Sequence, residues 1–147
     1  MTLIVRIQEE LETAMRERDA TRRDTLRLIL ANLRSAEKEL QRELNEQEEL
    51  QVLQRERKKR LEAAEAFRAA GKDDRAEAEE DELEVIEEFM PDPLSEEELE
   101  SIIDDAIAEC GATSLRQLGR VMADEMPQVA GRADGAAVSQ LVREKLA

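Results

Sequence analysis

The run "ELEVIEEFMPDPLSEEELESII", Glu82–Ile103, decides how this chain is organised. Its first third is an amphipathic helix pattern that stops at Met90, because Pro91 and Pro93 cannot continue a helix and push the residue before each toward extended backbone. Ser95 then opens a new helix. Glu98 stands three residues on, as a capping box requires, and Glu96, Glu97 and Glu98 lie at the positive end of the helix dipole. A Pro-containing linker, 91–94, therefore separates a domain over 1–90 from a second over 95–147.

Working backward from the linker, apolar residues recur at i, i+3 and i+4 in four segments. The spacing predicts helices over 2–18 (Leu3, Ile4, Ile7, Leu11, Ala14, Met15) and 21–44 (Leu26, Ile29, Leu30, Leu33, Ala36, Leu40, Leu44), the second starting at Thr21 or Asp24. Two more follow, over 46–70 (Leu50, Leu53, Leu61, Ala64, Phe67) and 73–89, with Asn45 as a break and Gly71 as a stop. Working forward, the fifth helix carries Leu99, Ile102, Ile103, Ala106 and Ile107 and stops at Gly111. A sixth opens at Ser114, boxed by Gln117, and Pro127 closes it. A seventh starts near Asp134 and carries Val138, Leu141, Val142 and Leu146. The expected fold class is all-α: an N-terminal antiparallel four-helix domain and a small C-terminal three-helix domain. Some 50 residues make a marginal core, so the second domain should lean on the first or on a partner.

Composition agrees. The chain has 147 residues, two Phe, no Trp, no Tyr, three Pro and five Gly, so a core of aliphatic side chains and Met is expected. The lone Cys110 permits no internal disulfide and suits a reducing compartment. The opening "MTLIVRIQEE" turns acidic too soon for a secretory leader, and no apolar run approaches the ~20 residues of a membrane span. The expectation is a cytoplasmic protein with no membrane partner.

Residues 73–109 hold 18 acidic side chains and one basic, Arg75, whereas 1–72 and 111–147 are each close to neutral. The net charge of −15 is thus concentrated in one block, and both flanks can carry basic faces.

An active site is not visible. Without His the chain lacks the commonest general base and metal ligand. Cys110 falls at a helix C-terminus, where the dipole disfavours a thiolate. The pairs Asp104–Asp105 and Glu87–Glu88 are adjacent rather than spaced along one helix face, and read as solvated charge. No Gly-rich phosphate loop occurs. No metal site and no cofactor is expected, and the chain reads as non-enzymatic.

The basic residues are denser in two places. Arg16, Arg18, Arg22, Arg23 and Arg27 surround the first turn, where cations at a helix N-terminus are mildly unfavourable. The run "RERKKR" supplies Arg55, Arg57, Lys58, Lys59 and Arg60, a secondary cluster for phosphate contact or a solvated face paired with Glu56 and Glu62. Arg57 falls near the inward stripe. No aromatic platform is available for stacking unpaired bases, so any RNA would be held by backbone and shape. In "MPQVAGRADGAAVSQLVREKL", Met126–Leu146, Gly131 allows a bend. Asp134 can cap the last helix, and Gly135 leaves room for close approach to free amides beside Arg132. Asp134's own carboxylate competes for those amides, and a plain helix–turn–helix accounts for the same residues.

The stretch "LGRVMADEMPQVAGRADGAAVSQLVREKL" also resembles the closing segment of the GatB/YqeY family, in its stand-alone YqeY-like branch. The likeness extends through "DTLRLILANLRSAEKE", "EELQVLQRERKKRLEAAEAF" and "ELEVIEEFMPDPLSEEEL" over nearly the full length. In that family the C-terminal domain is the tail of the B subunit of tRNA-dependent amidotransferase. It is also appended to some glutaminyl-tRNA synthetases, and contacts the folded body of tRNA. The resemblance implies an accessory module with tRNA as partner, beside an aminoacyl-tRNA synthetase or amidotransferase. The positions carried over are Gly119, Arg120, Gly131, Arg132 and Gly135; Arg143 and Lys145 join them from their charge. Asp124, Glu125, Gln128 and Ala130 depart from the pattern, where relatives are often neutral or basic, and each lost phosphate contact weakens binding. Two rivals remain: an interaction module whose acidic 73–109 region docks a basic partner, and a component of carbon–nitrogen ligase activity with glutamine as amide donor.

Overall fold

The computed structural model describes residues 1–129 and 132–147, and among these all regular structure is helical. The helices are α1 (Leu3–Arg16), α2 (Ala20–Leu40), α3 (Glu46–Ala69), α4 (Asp73–Glu87), α5 (Glu96–Cys110), α6 (Leu118–Val129) and α7 (Gly135–Leu146). A short 3₁₀ turn, Leu115–Gln117, precedes α6. The chain divides into two compact units, Met1–Met90 and Pro91–Ala147. Among the described residues no helix is long and apolar enough to cross a membrane.

In the first unit α1 packs on α2, α4 runs back along α3, and α2 contacts both α3 and α4. Ile7, Ala14, Leu26, Ile29, Leu33, Leu53, Val85, Ile86 and Phe89 form its core. Each helix start is fixed locally. The Thr2 hydroxyl accepts from Val5 N–H. Asp19, rather than Thr21 or Asp24, caps α2 by accepting from Arg22 N–H at 3.1 Å. Asn45 and Glu48 form a reciprocal capping box on α3. That box also explains why α2 ends at Leu40 and not at 44. Gln41 turns left-handed, and Arg42 makes a two-pronged ion pair with Glu48 at 2.7 and 2.9 Å, drawing the chain into α3. Arg42 and the box hold the Glu48 carboxyl down at about 2. Leu44 still packs on the core, but from the connection.

The inward face of α3 departs from the sequence pattern. It runs through Val52, Leu53, Glu56 and Ala64, and Leu61 is exposed. Arg60 is only 20% exposed and closes the seam between α3 and α4. It pairs with Glu79 at 3.0 Å and Glu82 at 2.9 Å, and stands 3.8 Å from Glu56. Glu56 in turn accepts from Asn32 at 2.8 Å. Buried ions persist only when paired, and these are.

The second unit is built round Ile103, Ala106, Val121, Val129, Val138, Val142 and Leu146. Ser95 caps α5 by accepting from Glu98 N–H at 3.1 Å, and Gly111 ends it in a left-handed conformation. The sixth helix differs at both ends from its sequence reading. Ser114 opens the 3₁₀ turn, with Gln117 accepting from Thr113 and Ser114 N–H, and α6 proper begins at Leu118. Pro127 lies inside α6, which continues to Val129. Proline forfeits one helical hydrogen bond there, while full burial of Val129 favours carrying the helix two residues further.

Candidate nucleic-acid interface

The candidate residues of the second unit fall into two groups. Gly119 and Arg120 sit in the first turn of α6, both exposed. A Cβ on Gly119 would meet nothing within 4 Å. No packing requirement explains glycine there, although in a helix it is worth less than alanine by up to about 1 kcal/mol. Arg120 makes no ion pair among the described residues, and neither does Arg143 on the exposed side of α7. Arg116, one turn before Arg120, is likewise exposed and makes no ion pair among the described residues. Sequence reasoning passed over it, although its spacing of four from Arg120 was a usable signal.

The other two cations are engaged within the unit. Arg132 Nε donates to the Asp92 carbonyl at 3.0 Å, and its Nη2 stands 3.7 Å from Glu98. Its own carbonyl accepts from Leu94 N–H at 2.9 Å. This side chain fastens the lead-in strand of the unit. Lys145 donates to Asp104 at 2.9 Å, which raises its pKa. Gly135 begins α7, and a Cβ there would lie 3.9 Å from Met126 Cε, an ordinary contact. Asp134 occupies the N-cap position without a side-chain bond to the first-turn amides, so its carboxylate does not fill them. Gly131 and Ala130 lie outside the described residues.

Acid is also close. The unit Pro91–Ala147 holds twelve acidic and five basic side chains, because α5 brings part of the acidic block with it. The Glu109 carboxyl is raised by a hydrogen bond to Asp124 and by the charge there. Glu125 is fully buried in α6, and neither of its oxygens has a hydrogen-bond partner. Burial, and then Asp124, push its pKa up to about 7. Asp124 follows Arg120 by four on α6, so this acid shares a helix face with the exposed guanidinium.

In the secondary cluster, Arg57 pairs with Glu87 at 3.2 Å, Lys59 with Glu56 at 3.3 Å, and Arg60 is held in the α3–α4 seam. Arg55 and Lys58 make no ion pair among the described residues. No group of three or more His, Cys, Asp or Glu side chains among these residues could hold a metal ion. Cys110 ends α5, and its Sγ donates weakly to the Arg120 carbonyl at 3.7 Å.

No curated protein matches the chain. A family model described as Yqey-like protein matches residues 4–146, nearly the whole length, and the chain belongs to that family.

Proposed function

We propose that this chain is a non-catalytic accessory module that binds folded tRNA by backbone and shape through its C-terminal unit. The observation that carries this reading is the first turn of α6. There Arg120 is exposed and makes no ion pair among the described residues, beside a glycine whose bare backbone faces open space. Arg116 and Arg143 supply further free guanidinium groups, the side chain best shaped for phosphate. Arg132 and Lys145 serve the unit's own structure in this scheme. With few free cations, binding is weak and strongly dependent on salt. Gel-shift titration with tRNA at two salt concentrations tests it. Arg120→Glu combined with Arg143→Glu should abolish low-salt binding, and either change alone should lower the salt slope by roughly one. Absence of binding by the parent protein at low salt, or binding indifferent to both reversals, overturns the proposal.

A second reading rests on α4. Glu77, Asp81 and Glu84 are exposed along one face of that helix and make no ion pair among the described residues, whereas Glu79, Glu80 and Glu82 turn to α3. This face would dock a basic protein. Co-purification that survives nuclease and is lost on neutralising those three acids would favour it over RNA binding.

A further inference from the structure

The turn joining α1 to α2 and the first two turns of α2 place three arginines around one pocket. Its walls are Ala14, Met15, Arg18, Asp19, Arg23 and Arg27, and its volume is about 360 Å³. Three local costs attach to these cations. Arg18 stands in left-handed backbone, φ 57°, immediately past the end of α1, where its N–H bonds to the Met15 carbonyl at 3.3 Å. Glycine is the residue that fits such a position, and an L side chain there costs about 1 kcal/mol. Arg23 lies in the first turn of α2, at the positive end of the dipole. Arg27 follows it by four, so two like charges share one helix face. Backbone conformation, the helix dipole and like-charge spacing therefore favour none of the three.

Two carboxylates, Asp19 in the pocket wall and Asp24 beside it, offset part of that charge and leave a net positive site. Asp19 spends a carboxylate oxygen on the α2 cap, and Arg23 Nε pairs with Asp24 at 2.9 Å. Arg18 and Arg27 make no ion pair among the described residues, although Arg27 stands 3.9 Å from the Met15 sulfur and is near enough to help lower the Asp24 pKa. Met15, 50% exposed, gives the same pocket an apolar wall, with the buried Ala14 behind it. Of the other two cations of the cluster, Arg22 is spent internally on Glu10 and Glu88 at 3.0 and 2.7 Å, and Arg16 donates to the Thr13 hydroxyl.

We infer that this pocket is a phosphate-binding site, in which the Arg18, Arg23 and Arg27 guanidinium groups grip a phosphate group while the exposed Met15 side chain covers the organic part next to it. Planar guanidinium forks match phosphate oxygens in pairs, and the volume suits a ligand of nucleotide size. The phosphate could belong to a small phosphorylated molecule or to an RNA strand. The site lies in the first unit and does not depend on the reading of α6.

The test uses the full chain, titrated at low salt with inorganic pyrophosphate, with adenosine monophosphate and with tRNA, and followed by amide chemical shifts. Saturable shifts confined to 14–27, with dissociation constants of roughly millimolar or below, are expected. Arg18→Gly is the decisive variant, because glycine relaxes the left-handed backbone. It should melt no lower than the parent, yet weaken binding roughly tenfold, and Arg27→Gln should do the same. Arg120→Glu, in the other unit, should leave these shifts in place. Saturation by pyrophosphate or adenosine monophosphate identifies a small phosphate as ligand. Saturation by tRNA alone, lost in Arg18→Gly, identifies a polynucleotide phosphate. If none of the three probes gives saturable shifts at 14–27, or if Arg18→Gly and Arg27→Gln bind as the parent does, the inference is overturned.

Discussion

Glu125 is the residue whose chemistry is most out of keeping with its surroundings. It occupies a core position of α6 between Val121 and Val129, with no partner for either oxygen. Its carboxyl titrates at about 7 instead of 4.5. Between those values the folded protein holds a proton that the unfolded chain has released. Stability is therefore highest below pH 4.5 as far as this group is concerned, falls as pH rises through the window, and is lost in full above 7. The loss is up to about 3 kcal/mol. Glu125→Met keeps the volume and removes the charge. Thermal melts should show a clearly larger gain at pH 8 than at pH 5, where only the cost of the unpartnered neutral carboxyl is relieved; an equal gain at both would show that ionisation is not the cause. The sequence marked Glu125 as a departure from family pattern but gave no sign of its burial, because an acid beside Asp124 reads as surface. Arg132 illustrates the same blindness to distance. Its local setting suggested a phosphate contact, and its actual partner at Asp92 lies 40 residues away.

At the level of elements, helix identity was legible and helix facing was less so. Caps at Asn45 and Ser95 and stops at Gly71 and Gly111 are local signals, written within four residues, and they stand where the backbone turns. The inward face of α3 was misjudged because Leu53 and Leu61 suggested a stripe through Arg57. Leu53 and Ala64 are buried and Arg57 is half-buried against Glu87 as that stripe requires, but the helix also turns Glu56 and Arg60 inward while Leu61 is exposed, and opposing acids on α4 make that possible. No count of apolar residues reveals a seam built from ions. The seam carries its own consequence. Arg60→Met would leave Glu56, Glu79 and Glu82 crowded without their common cation, and burial already raises the Glu82 pKa. Unfolding in urea at pH 7 should show a loss of roughly 2–4 kcal/mol. Lowering the pH toward 5 should recover part of it as carboxyls take up protons. A loss under 1 kcal/mol would mean that the three acids find water instead.

For the whole molecule, the all-helical class followed from periodicity and from the scarcity of breakers, and the concentration of charge was visible in a simple count. The fate of that charge was not. Much of the acid on α4 neutralises arginines of α3, and the acid on α5 travels with the second unit. The hydrogen bonds from Leu94 to Arg132 and from Arg132 to Asp92 make the segment after Met90 an integral part of that second unit rather than a tether. Where one would cut or graft the unit follows from this. A fragment begun at Pro91 keeps its lead-in and should melt cooperatively, whereas one begun at Glu96 strips Arg132 of its anchor and the core of Leu94, and should melt lower or not fold. Any larger protein that borrowed this module would have to carry the Asp-Pro-Leu preamble across the fusion junction along with it.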